Sequence, residues 1–83
     1  MNVSGERYRV AYPALAQIAL LPTSEKRALK ELFSRQDIRR AEGTTRTNSG
    51  NYVSRLGSRR VLWRMCDRTP EILSVLDRSY SAQ

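Results

Sequence analysis

Alternation of apolar and arginine side chains across residues 51–80 constrains this chain more than any other feature. Successive side chains on a strand point to opposite faces. In Tyr52-Val53-Ser54-Arg55-Leu56, Tyr52 and Leu56 take one face and Arg55 the other. In Arg60-Val61-Leu62-Trp63-Arg64-Met65, Val61, Trp63 and Met65 take one face, and Arg60 and Arg64 the other. In residues 71–78, Leu73 and Val75 fall together and Arg78 opposite. If the three strands pair as neighbours, Arg55, Arg60, Arg64 and Arg78 gather on one surface suited to a polyanion. In this phase Val53, Leu62, Ile72 and Leu76 share that surface, which is therefore mixed rather than purely polar.

The charge supports the same direction. The chain of 83 residues carries 15 basic and 8 acidic side chains, for a formal net charge of +7, and it has no histidine. Lys26 and Lys30 are its only lysines, so arginine dominates. Guanidinium groups bind phosphate bidentately and stack on bases, which favours nucleic acid as partner, with an acidic protein as the alternative. Without histidine a Ser-His-Asp triad is excluded. With one cysteine and no spaced carboxylate cluster, no metal site and no cofactor are expected. Cys66 reads as a buried apolar residue in a reducing compartment. Residues 1–6 have no apolar signal core and no run is long enough to span a bilayer, which gives the expectation of a single cytoplasmic domain over residues 1–83.

Upstream, Tyr8, Val10 and Tyr12 alternate as a strand. Pro13 suits the start of a helix with Leu15, Ile18 and Ala19 as its stripe, and Pro22 stops it. Thr23 or Ser24 can cap a second helix in which Ala28, Leu29, Leu32 and Phe33 follow helical spacing, running to about Arg40. Residues 41–50 read as a polar loop, Gly57-Ser58 as a hairpin turn, and residues 67–70 as another turn. The expected fold is α+β: a helical hairpin on one face of a mostly antiparallel four-stranded sheet, in the order β-α-α-β-β-β. Trp63 and Tyr52 fall in the core by phase. Arg35, Arg39, Arg40 and Arg46 extend the basic character through the second helix and the loop, with Arg40 and Arg46 as candidate contacts to RNA backbone beside Arg64.

This element order, with Asn51-Tyr52-Val53-Ser54-Arg55-Leu56-Gly57, Arg60-Val61-Leu62-Trp63-Arg64 and Leu73-Ser74-Val75-Leu76-Asp77-Arg78, resembles the RelE/ParE superfamily of bacterial toxins, the toxin halves of type II toxin–antitoxin pairs. The resemblance runs over nearly the whole chain and implies the RelE-like microbial ribonuclease fold. It implies an endoribonuclease that cleaves mRNA in the ribosomal A site and inhibits translation. On it, Arg55 matches the basic residue that activates the ribose 2′-hydroxyl, Arg60 the arginine that stabilises the phosphate in the transition state, and Arg78 the arginine near the leaving group. Tyr80 stands where the family's active-site tyrosine is sought, two positions after Arg78 rather than several. Leu76 and Asp77 replace the glycine and the basic residue with which the family often ends its last strand, and Val53 replaces a basic residue on the second strand. The implied partners are a RelB-like antitoxin, the ribosome with its A-site mRNA, and operator DNA through the antitoxin complex alone. The alternatives are a ParE-like inhibitor of DNA gyrase, which lacks the nuclease arginines, and a small RNA-binding module, which would display aromatic residues on its open sheet face.

Overall fold

A computed structural model describes residues 8–35 and 37–76. Arg78 and Tyr80 lie outside the described residues. The elements run β1 (Arg9–Val10), α1 (Tyr12–Ala19), α2 (Thr23–Phe33), a 3-10 turn (Ile38–Arg40), β2 (Thr44–Arg46), β3 (Tyr52–Leu56), β4 (Arg59–Cys66) and β5 (Thr69–Leu76). The sheet order is β1-β5-β4-β3-β2. All its pairings are antiparallel except β1 with β5, which is parallel. The α+β class is as expected, but the sheet has five strands rather than four.

The additional strand is β2, inside the segment expected to be a loop. Its Thr-Thr-Arg sequence has no apolar alternation to announce it. It forms because the outer edge of β3 offers unpaired backbone groups, and Thr44 to Arg46 satisfy them. A side-chain bond adds to the ladder: the Thr44 and Ser54 hydroxyls lie 2.6 Å apart.

Both helices begin at prolines. Pro13 sits in the first turn of α1, where its missing N–H costs nothing. Pro22 precedes α2, and its carbonyl accepts the Glu25 and Lys26 amides at 3.0 Å each. Thr23 is thus inside the helix, not a side-chain cap. α2 ends at Phe33 rather than near Arg40. Leu29 and Phe33 form its buried stripe, and the next places on that stripe are the polar Gln36 and Asp37. Breaking the helix lets Ile38 fold back into the core, where it is buried. The α1 stripe is also rotated from expectation. Ala14 and Leu21 are buried and Ile18 is half-buried, whereas Leu15 and Ala19 face outward, as does Ala28 of α2.

The core lies between the helices and one sheet face, centred on Trp63. Phe33 meets the Trp63 ring edge-on with centroids 5.6 Å apart, and Tyr52 stacks on it at 4.6 Å. The indole N–H donates to Ser54 Oγ at 2.8 Å, so Ser54, the one buried polar side chain among the described residues, is paired. On α1, Gln17 Oε1 accepts the Val75 backbone N–H at 2.8 Å. β1 covers β5 only at Glu71 and Ile72, and Gln17 takes over the edge beyond it.

A β-bulge changes the phase of β5. Leu62 opposes Ser74, but Trp63 opposes Ile72, which leaves Leu73 as the extra residue. Ile72 therefore turns into the core, where it is fully buried, instead of sharing the arginine face. Alternation alone cannot reveal an inserted residue, because the period is unbroken in the sequence.

Candidate active site

Among the described residues, the second sheet face carries no helix. Across its centre Thr45, Val53 and Leu62 are neighbours in register on β2, β3 and β4, with Thr45 exposed and Val53 buried. Arg55 and Arg60 occupy one end of this face. They are cross-strand partners, directly opposite each other on β3 and β4. Directly opposed residues in an antiparallel pair sit roughly 4.5–5.5 Å apart at Cα, and like charges there oppose folding. Among the described residues neither guanidinium has a carboxylate partner. Gly57, with φ +59, makes the tight turn just beyond them, which holds the two strand ends in register.

Arg59 shows what the adjacent position does instead. Alternation sends it to the helix side, where its Nε donates to Glu25 Oε1 at 2.6 Å. Of two consecutive arginines, one ties β4 to the first turn of α2, and the other stands beside Arg55 with no carboxylate partner among the described residues. Sequence phase had separated Arg60 from the core, but the role of Arg59 depends on where α2 lies.

Gly43 is a further site residue that its isolated position in the chain concealed. It takes φ +88 in the turn from Ala41 to Thr44, and its carbonyl accepts the Arg55 N–H at 3.0 Å. A Cβ at Gly43 would meet the Arg55 Cβ at 3.3 Å. The β2 approach thus packs closely on Arg55, and only glycine gives both the backbone angle and the space.

Arg64 lies on the same open face toward the other end. Its Nε donates to Glu71 Oε1 at 2.9 Å, and this hydrogen bond, with the carboxylate's charge behind it, raises the Arg64 pKa further. Arg64 is charged at any working pH, but its charge is shared with Glu71. Cys66 is half-buried at this end rather than in the core, 3.9 Å from Arg9 Nη1. Arg46 pairs with Tyr52 in register, which places it on the helix-side face at the sheet edge, away from Arg55. The pairing of β2 decides this, and a loop has no alternation from which to read it. Arg40 lies in the 3-10 turn with its Nε 3.4 Å from Asp37 Oδ2. The structure therefore brings Arg55 and Arg60 together, sets Arg64 on the same face with a partner of its own, and leaves Arg40 and Arg46 outside the group.

Tyr52 and Trp63 are on the core side, so among the described residues the open strands β3 and β4 present no aromatic ring. That removes the stacking platform of a sheet-based RNA-binding module.

The fold, a helical hairpin on one face of a mainly antiparallel sheet, has a counterpart among solved structures. The chain is similar to a chain of the archaeal RelE–RelB complex from Pyrococcus horikoshii OT3, with a TM-score of 0.66 and 20% identity over 90% of this chain and 99% of that one. At that identity the likeness establishes the fold. No protein-family model and no curated protein matches the sequence.

Proposed function

We propose that this chain is the toxin of a type II toxin–antitoxin pair and acts as a ribosome-dependent mRNA endonuclease. The observation that carries this reading is the opposed pair Arg55–Arg60, two charges set against each other on the sheet face away from the helices, with no carboxylate partner among the described residues. Like charges set directly opposite each other repel, and a bound anion would relieve that repulsion.

The chemistry follows from what arginine can and cannot do. RNA supplies its own nucleophile: the 2′-oxygen forms a bond to the adjacent phosphorus while the bond from phosphorus to the 5′-oxygen breaks. The products are a 2′,3′-cyclic phosphate and a 5′-hydroxyl. Because the nucleophile is internal, no metal-bound water and no cofactor is required. Arginine is a poor proton acceptor, since its pKa lies above about 12. Arg55 acts by lowering the pKa of the 2′-hydroxyl, whose proton passes to water or to a group on the ribosome. Arg60 meets the negative charge that grows on the phosphoryl oxygens. Arg64 holds the neighbouring phosphate, the leaving 5′-oxygen takes its proton from water, and the family resemblance assigns Arg78 and Tyr80, which lie outside the described residues, to that end of the reaction. Arg40 and Arg46 contribute at the periphery. In-line alignment comes from the ribosome, which explains how a site with no imidazole base can work.

The partner reading rests on α1. Tyr12 and Leu20 are 87% and 85% exposed, and Leu15 joins them on its outer face. A RelB-like antitoxin with an apolar helix and acidic segments would cover this face and neutralise the arginines, and operator DNA would be reached only through that complex. Pulse labelling after expression of the chain alone tests the function. Translation should stop first. If DNA synthesis fails first while translation continues, the chain is a gyrase inhibitor instead.

A further inference from the structure

A second basic site lies at the opposite end of the sheet. Between the 3-10 turn and the β4–β5 hairpin is a half-open groove with a cavity volume of about 520 Å³. Ile38, Met65 and Pro70 form its apolar floor, and Arg35, Arg39 and Arg68 stand around it. It opens on the helix side, because Met65 and Pro70 are register partners on the Trp63 face. Arg60 and Arg68 are eight residues apart along β4 and its turn, roughly 25 Å at strand rise. The groove is therefore separate from the Arg55–Arg60 pair.

Two observations mark it as more than exposed charge. First, Asp37, the carboxylate in the lining, is taken by Arg39 and Arg40 at 3.5 and 3.4 Å. Among the described residues, Arg35 and Arg68 have no carboxylate partner, and they face the groove from its two walls. Second, Arg68 has φ +68 and Asp67 φ +53 in the two-residue turn between Cys66 and Thr69. Such turns favour Asn-Gly or Asp-Gly, because only glycine enters the left-handed region without strain. A bulky arginine holds the glycine place here, against local preference, where its guanidinium lines the groove.

We propose that this groove is a second RNA contact that takes phosphodiester groups of folded RNA on Arg35, Arg39 and Arg68. Guanidinium forks suit phosphate oxygens. Among the described residues its lining has no aromatic ring for a base, so it grips backbone rather than reading sequence. Its distance from the cleavage face fits a large folded RNA held at two points rather than a single nucleotide. The inference rests on the reading of the chain as a ribosome-directed nuclease, but binding and cleavage can be measured apart.

The test compares two double variants with equal loss of charge: Arg35→Ala with Arg68→Gly, and Arg27→Ala with Lys30→Ala on the exposed side of α2. Binding of a fluorescein-labelled RNA stem-loop is followed by anisotropy over a salt series. The groove variant should weaken binding by about tenfold, and the slope of log K against log salt should flatten by roughly 1.5, the value for two lost phosphate contacts. The α2 variant should stay within about twofold, since diffuse charge is screened. Arg68→Gly alone should hold its Tm or raise it by up to about 4 °C through relief of the left-handed strain, which separates lost binding from lost folding. The stem-loop assay reads binding without ribosomes or cleavage, so failure of the cleavage reading remains distinguishable. Equal weakening by both double variants overturns the proposal. So does a groove variant that loses binding to a glutamate–leucine peptide but retains the stem-loop, which would assign the groove to an acidic protein.

Discussion

Arg59 and Arg60 are adjacent, carry the same charge and face opposite sides of β4, so replacing each by alanine separates folding from function. Arg59→Ala removes a partly buried ion pair in which the Arg59 and Glu25 side chains are 34% and 24% exposed and 2.6 Å apart. A hydrogen bond to a charged group contributes about 1.5–3 kcal/mol when buried, and partial exposure reduces this to about 1–2 kcal/mol. For a domain of this size each kcal/mol moves Tm by about 4–8 °C, so Arg59→Ala should melt roughly 5–15 °C lower. Arg60→Ala instead removes one member of a like-charged cross-strand pair. Its stability should change by no more than about 0.5 kcal/mol, and relief of repulsion favours a slight gain. Cleavage should respond in the reverse order. Loss of a preorganised charge at the transition state costs on the order of 10²–10³ in rate, whereas Arg59→Ala, assayed well below its melting point, should cleave almost normally. The assays are thermal melts and single-turnover cleavage of mRNA on programmed ribosomes. If Arg60→Ala destabilises as much as Arg59→Ala, or if the two slow cleavage equally, then Arg60 is an ordinary surface charge and the assigned site is wrong.

Gly43→Ala forces a left-handed backbone on alanine and a 3.3 Å approach to Arg55 Cβ, so it should lower stability by about 1–3 kcal/mol and slow cleavage beyond what lost folding explains, as melts and single-turnover rates would reveal. Ser54→Ala leaves the buried Trp63 indole N–H without its acceptor and should cost about 1–3 kcal/mol by denaturant titration, with no effect on cleavage of the remaining folded fraction. Gln17→Ala strips the Val75 N–H of its acceptor at the β5 edge, and hydrogen exchange at that amide should accelerate well before global unfolding does. Association with an acidic antitoxin should slow as salt rises, measured by stopped flow, and an on-rate indifferent to ionic strength would argue against charge steering.

Strand periodicity alone determined that Arg55, Arg60 and Arg64 lie opposite Val61, Trp63 and Met65, because an alternating segment with one buried face admits a single phase. It likewise determined that Trp63 is core, while Pro13 marked where the first helix begins and Pro22 where it has ended. What the sequence left open depended on contacts between segments distant in the chain. β2 exists because β3 has an edge to satisfy, and Thr44 to Arg46 carry no local pattern that announces this. The bulge at Leu73 turned Ile72 inward, since β5 must fit both the Trp63 side of β4 and the short strand β1. Arg59 is paired, and Arg60 has no carboxylate partner among the described residues, because α2 brings Glu25 to one side of the sheet. The groove of Arg35, Arg39 and Arg68 joins a helix end to a hairpin turn some thirty residues later. Local alternation fixes the direction of a side chain, but whether its charge is paired is decided by what the tertiary fold places opposite it.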